Sequence, residues 1–262
     1  MASRFKAIAW LHLLRLWRYR LSFLNLVLAE GLWVLLLILG VMLFVPPEWR
    51  AAAYKEAFWV IVCWSVISQA TGLMGGWMSF FISIGMVEEH MLRGVSPFKV
   101  IAGRLIPSMA VVAGFTAFVA ALMEGAFGVS VFKVYHPALL LLGLVLLTLQ
   151  AVSYGVIIAS ISMRTSIPHG FIDVLSIVAL GLIMAPLDRL PHYARYLLLV
   201  APYVAPAYLV KLGIRQSLTP LLFPALAWGV AISSVLVTAA VAAVESSERF
   251  VKVHGVKGVG FT

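Results

Sequence analysis

Ala185-Pro186-Leu187-Asp188-Arg189-Leu190-Pro191-His192-Tyr193-Ala194-Arg195-Tyr196-Leu197, followed by Ala201-Pro202 and Pro206, is an apolar stretch that a single helix cannot traverse. A bilayer crossing needs about 20 consecutive helical residues, and proline both removes a backbone donor and clashes with the preceding turn. Pro186, Pro191, Pro202, Pro206 and Gly213 therefore divide the region between Ala185 and Pro220 into pieces too short to cross. The stretch reads as a broken segment, at about 186–218, that enters the bilayer and returns, and not as a further crossing.

On either side of it the apolar runs are continuous. Hydrophobic residues make up 63% of the 262 and charged residues 11%, the reverse of what a water-solvated domain needs. Six runs are long enough to be read as crossings, at about 21–45, 57–81, 97–125, 137–161, 167–184 and 220–244. Pro46 and Pro47 stop the first. That run is too long for the apolar region of a signal peptide, and no small-residue cleavage site follows it. The expected fold is all-α: a polytopic membrane protein of six transmembrane helices, spanning 21–244. A tail is expected at 245–262.

Residues 1–20 carry Arg4, Lys6, Arg15, Arg18 and Arg20, interleaved with Phe5, Ile8, Trp10, Leu11, Leu14 and Trp17 at helical spacing. This pattern predicts an amphipathic helix lying in the membrane interface. An even number of crossings puts both termini on one side. With the N-terminus inside, twelve of the 19 Lys and Arg fall in inside segments, so the basic excess favours a multi-pass cell-membrane protein with both termini cytoplasmic. The basic residues sit in short loops and at the ends, which argues against a nucleic-acid partner.

The segment from Pro186 to Leu197, with Ala201-Pro202 and Arg215 beyond it, resembles the region before the last helix of type-2 ABC transporter permeases. In that family it forms short re-entrant helices on the extracellular side. A second resemblance lies in Glu88-Glu89-His90-Met91-Leu92-Arg93-Gly94-Val95-Ser96-Pro97-Phe98, with Gly103-Arg104 following. There the family carries a coupling helix, here about 86–95, that sits in a groove of the ATP-hydrolysing subunit. Local physics agrees with a short helix. Glu88 and Glu89 suit its positive N-terminal end, Arg93 its C-terminal end, and Gly94 can close it. Ser96 and Pro97 can then cap and open the next helix.

The resemblance implies the membrane subunit of an ATP-binding cassette exporter, paired with a second copy or a homologous permease, in contact with membrane lipid and docked on separate ABC ATPase subunits. Coupling to the ATPase would fall to Glu88, Glu89, Met91, Leu92, Arg93 and Gly94. No G-x-x-x-x-G-K-[ST] loop occurs in the sequence, so the chain is not expected to be an enzyme; ATP and magnesium would be held by the partner, with no cofactor here. Neither an H-E-x-x-H pair nor a G-x-S-x-G elbow is present, and the six histidines are dispersed without metal-ligand spacing.

Two other classes remain open at this stage. An ion-coupled secondary transporter would use Glu30 or Asp173 as its ion site. A non-transporting membrane scaffold would need neither. Glu30 sits about 14 Å into the first helix at 1.5 Å per residue, where an ionisable group is costly unless it faces protein or water. Trp33 could stack on a substrate or simply anchor the helix. Gln150 and Tyr154 share a face of the fourth helix and could line a pathway or hydrogen-bond between helices. These four residues form the candidate substrate pathway.

Ser65, Ser68, Gly72, Gly75, Gly76, Ser79 and Ser83 make a stripe of small side chains along the second run, with Gly72 and Gly76 in small-xxx-small spacing. In lipid such a stripe lets another helix approach closely, within the protomer or across a dimer. Gly76→Leu is therefore expected to disturb assembly. Size-exclusion chromatography in detergent checks this, and a profile identical to that of the unmodified chain would refute it.

Overall fold

A computed structural model describes residues 2–165 and 169–256. Ile167, the expected start of the fifth run, and Lys257 in the tail lie outside the described residues. Among those described, the chain is predominantly helical and forms no strand. α1 spans Ala2–Arg18, α2 Arg20–Met42, α3 Arg50–Ser83, α4 Met86–Leu92, α5 Pro97–Gly103 and α6 Leu105–Phe127. α7 spans Pro137–Ser162, α8 His169–Met184, α9 His192–Leu199, α10 Val204–Ile214 and α11 Leu222–His254.

Five helical stretches are long and apolar enough to cross a membrane: Arg20–Gly40, Ala52–Ser83, Pro97–Phe127, Pro137–Ser162 and Leu222–His254. This is the helix set of a membrane-embedded chain. The fifth expected run differs. Its apolar helical part, Ile172–Met184, is shorter than the others. The proline-broken region forms α9 and α10, which meet at 109°.

Two boundaries also move. α3 opens at Arg50, two turns before the apolar run, because its first turns have partners of their own: Tyr54 stacks on Phe127 at 5.8 Å and Lys55 Nζ donates to the Ile214 carbonyl at 2.8 Å. α11 continues to His254, well past the expected tail boundary. Glu245 pairs with Arg249 one turn on, and the buried Ser247 hydroxyl donates to the Ser160 carbonyl of α7. These contacts carry the helix on where hydropathy ends.

The core lies around α3 and α7. In the span of α3, 72% of the apolar window is buried, against 22% for α2 and 17% for α11. α3 packs on α7, α8 and α6, while α7 also carries α10 and α11. The contacts are close because glycines remove the side chain where backbones meet. A Cβ on Gly155 of α7 would lie 2.9 Å from Met74 Cβ and 3.1 Å from Thr71 Cα of α3. Gly75 of the small-residue stripe faces Ile158 of α7 and Ile172 of α8, whereas a Cβ on Gly72 would meet open space. Part of the stripe thus serves packing within the protomer.

The α7–α10 seam is tighter still. A Cβ on Gly143 would lie 2.8 Å from the Pro206 carbonyl oxygen and 2.9 Å from the Val210 nitrogen, and one on Gly213 would lie 2.8 Å from the Leu140 nitrogen. Backbone at this distance cannot yield as a flexible side chain would. Gly143→Val is expected to destabilise the detergent-solubilised protein by about 1–3 kcal/mol. Gly40→Ala, where nothing lies within 4 Å, is expected to leave the melting midpoint unchanged or slightly raised. Thermal unfolding of the two variants side by side checks both.

Candidate functional site

Three polar groupings interrupt the apolar bundle: one at each end and one between. At the first end, the chain leaves α3, turns through Gly85 (φ 72°) and forms α4, which closes on Gly94 (φ 66°). Both turns use left-handed backbone that glycine adopts without strain. Val87 is fully buried and anchors α4 to a cluster holding Met78, Phe81, Phe98, Ile101 and Met163. The His90 ring lies 5.5 Å from that of Phe81. Glu89 and Arg93 pair at 2.5 Å on the open face, and Ser96 stands at the N-cap of α5 without a side-chain cap bond.

Leu92 is 89% exposed at the tip of α4. Beside it, the end of α11 closes in: Glu88 Oε1 accepts the Val256 N–H at 3.1 Å. A hollow of about 390 Å³ is bordered by Glu88, Met91, Leu92, Val251, Lys252 and Gly255. All six residues expected for coupling are therefore on one short helix and its closing turn, and the end of α11 is a neighbour that hydropathy did not reveal.

At the opposite end, charged residues from three distant parts of the sequence meet. Arg215, just past α10, is ion-paired with Asp188, in a short 3-10 turn before α9, and with Glu56 of α3 at 3.2 Å. Lys211 is 5% exposed and lies 3.8 Å from the same Glu56 oxygen. The Tyr208 hydroxyl donates to Asp188 at 2.5 Å and shares a hydrogen bond with Thr219. Since Asp188 lies at the start of the broken segment and Arg215 near its end, the chain enters and leaves that segment at the same place.

Partial burial of Asp188 pushes its pKa up, but hydrogen bonds from Tyr208 and Arg215 and the positive charges of Arg215 and Arg195 outweigh it, so the carboxyl titrates below its ordinary value. Asp188, Arg189, Arg195 and Arg215 were all legible in the proline-rich stretch. Glu56 and Lys211, which complete the cluster, were not: each reads alone as a loop charge or an oddity in an apolar run.

The four residues of the expected pathway do not form one site. Glu30 is half-buried on α2, and Trp33 is 65% exposed on the same helix. α2 packs against α6 and α3, whereas Gln150 and Tyr154 lie on α7. Gln150 is fully buried. Its Oε1 accepts the Tyr203 N–H at 2.7 Å, and its Nε2 donates to the Gly229 carbonyl and the Ser233 hydroxyl of α11. Since an amide N–H only donates and a carbonyl only accepts, both ends of the Gln150 side chain are assigned unambiguously. It ties α7 to the start of α10 and to α11.

Tyr154 does line a cavity, of about 170 Å³, with Thr71, Ser176 and Tyr203 among otherwise apolar neighbours. Asp173 is exposed on α8. Among the described residues no group of His, Cys, Asp and Glu could hold a metal ion. No protein-family model matches this chain, and no curated protein matches its sequence.

Because the folded-state pKa of Asp188 is depressed, its stabilising contribution is fully present above the ordinary carboxylate value of about 4 and is lost as pH falls through the lower folded-state value. Asp188→Asn is expected to lower stability by about 1–3 kcal/mol near neutral pH and to flatten the acid limb of the melting-point profile. Thermal unfolding of the full chain in detergent between pH 3 and 8 checks it.

Proposed function

We propose that this chain is the permease subunit of an ATP-driven exporter, crossing the membrane six times with both termini in the cytoplasm. Separate ATPase subunits dock on α4 and a second copy, or a homologous chain, completes the pathway. The observation that carries this reading is the pairing of two devices on one helix. α3 runs for 34 residues without a proline, and the part from Glu56 in the charged cluster to the turn into α4 extends for about 40 Å at 1.5 Å per residue.

The sixth crossing in this reading is α8, whose 16 residues extend for about 24 Å. It is short for a core of about 30 Å, and local thinning or the flanking turns make up the difference. α9 and α10 are the re-entrant pair. Their 109° bend and the Asp188–Arg215 ion pair joining the two ends of the segment support that reading. The bend reaches Gln150, 13 residues into α7 and so about 20 Å along it, before the chain turns back.

ATP binding by the partner would draw two ATPases together. Each would push on α4, where the buried Val87 passes the displacement into the core next to α3, and α3 would move as a rod. The Glu56 end of that rod is tied to the re-entrant segment, so movement at the ATPase would alter the opposite mouth. The largely apolar cavity at Tyr154 and Tyr203 lies between the two ends and would be the part of the pathway this chain supplies. No observation favours Glu30 or Asp173 as an ion site.

Leu92→Glu, at the exposed tip of α4, is expected to abolish co-purification of an ATPase with the permease and stimulation of its hydrolysis, while leaving the melting midpoint unchanged. Retention of a stimulated ATPase by that variant would refute docking on α4. Cys63 is the only cysteine and is buried, so single cysteines placed in a Cys63→Ala chain test sidedness. A cysteine at Val253 is expected to be labelled only from the cytoplasmic face, and one at Tyr193 only from outside.

A further inference from the structure

A cavity of about 350 Å³ opens between α1, α2, α3 and the start of α6, at the same end of the bundle as α4. It is graded in polarity. Where α1 crosses the bundle it is bordered by His12, Arg15, Arg104 and Ser108; further along the helices it is bordered by Phe23, Leu26, Leu73 and Val111, with Gln69 the deep polar exception. Along α6 the change from Arg104 to Val111 takes seven residues, about 10 Å. None of the lining residues is acidic.

Among the described residues no acid pairs with Arg15 or Arg104. The Arg104 guanidinium lies over the Trp77 ring, 3.4 Å from its centroid, and its buried Nε has no hydrogen-bond partner. His12 is 5% exposed, and its Nε2 is likewise without a partner. Burial and the positive charges of Arg104 and Arg15 hold the imidazole below its ordinary pKa, as a site of uncompensated positive charge would. The level of the polar end is marked by Trp10 and Trp17 of α1 and by Tyr19 just after it, all exposed. Aromatic side chains of this kind settle at the headgroup layer of a bilayer.

We propose that this cavity binds an anionic phosphate amphiphile: a phosphate ester seats between Arg15 and Arg104, and its acyl chain lies along Phe23, Leu26, Leu73 and Val111. Arginine offers a planar fork of donors that fits phosphate oxygens, and the phosphate supplies the charge that the site lacks. The apolar half supplies what free phosphate cannot use. Neither the ATPase partner nor the direction of transport enters this inference, so it stands or falls separately from the exporter reading.

The experiment is titration of the full chain in dodecyl maltoside with dioleoylphosphatidylglycerol, dioleoylphosphatidylcholine or inorganic phosphate, read by native mass spectrometry and thermal shift. Phosphatidylglycerol is expected to bind and raise the melting midpoint, phosphatidylcholine to bind at least about fivefold more weakly, and inorganic phosphate to give no shift. Arg104→Gln and Arg15→Gln are each expected to weaken phosphatidylglycerol binding about fivefold or more, while Arg18→Gln, which removes the same charge from α1 outside the cavity, leaves it unchanged. Arg15 is exposed, so its variant decides the matter even if Arg104→Gln does not fold. Equal loss in Arg15→Gln and Arg18→Gln, equal binding of the two lipids, or inorganic phosphate binding as well as the lipid would each overturn the proposal.

Discussion

The N–H of Tyr203 stands at the start of a helix inside an apolar bundle and needs an acceptor there. Tyr203 also carries the one positive φ among the described non-glycine residues, 70°, which a side chain tolerates only when its surroundings enforce it. Gln150 supplies the acceptor and, through its amide nitrogen, fastens the same point to α11. Hydrocarbon allows irregular backbone only where protein covers it and pairs its polar groups. Every residue of α10 from Val204 to Ile214 is buried, and the last carbonyls of α10 are taken up by Tyr135, His136 and Lys55. The close glycine seam with α7 keeps the Tyr135 and His136 N–H groups within reach of the Gly213 carbonyl.

The charged cluster around Glu56 solves a related problem. Lys211 is nearly fully buried, and an unpaired cation there would be costly, so Glu56 serves it and Arg215 together while Asp188 serves Arg215 and Tyr208. Two anions and two cations balance in one place. The geometry closes the broken segment into a loop and fastens it to the helix that carries α4 at its other end.

The end that holds α1 and α4 is organised differently. Its acids are on α4 and on the last turns of α11, engaged in part by Arg93, by Arg249 and by the Val256 N–H, whereas Arg15 of α1 and Arg104 face a cavity without acids. One end of the bundle thus presents two surfaces of opposite character: a small acidic and apolar knob, and a basic recess. Trp77 joins them physically, since it stacks under Arg104 and meets both Phe80 and Phe81 edge-on near the foot of α4.

Hydropathy and proline spacing determined the helical class, the long apolar helices, the amphipathic α1, the short α4 with its closing Gly94 and the break between α8 and α11, because these depend on residues close together in the chain. The short span of α8, the two early or late helix ends and every partner of the broken segment were decided by tertiary contacts. Glu56 and Arg215 are 159 residues apart and Gln150 and Tyr203 are 53 apart, separations at which no local pattern links one side chain to the other. The candidate pathway shows the same division. Gln150 and Tyr154 are one helical turn apart and share a face, yet only the packed bundle determines that one closes a backbone hydrogen bond and the other borders a cavity.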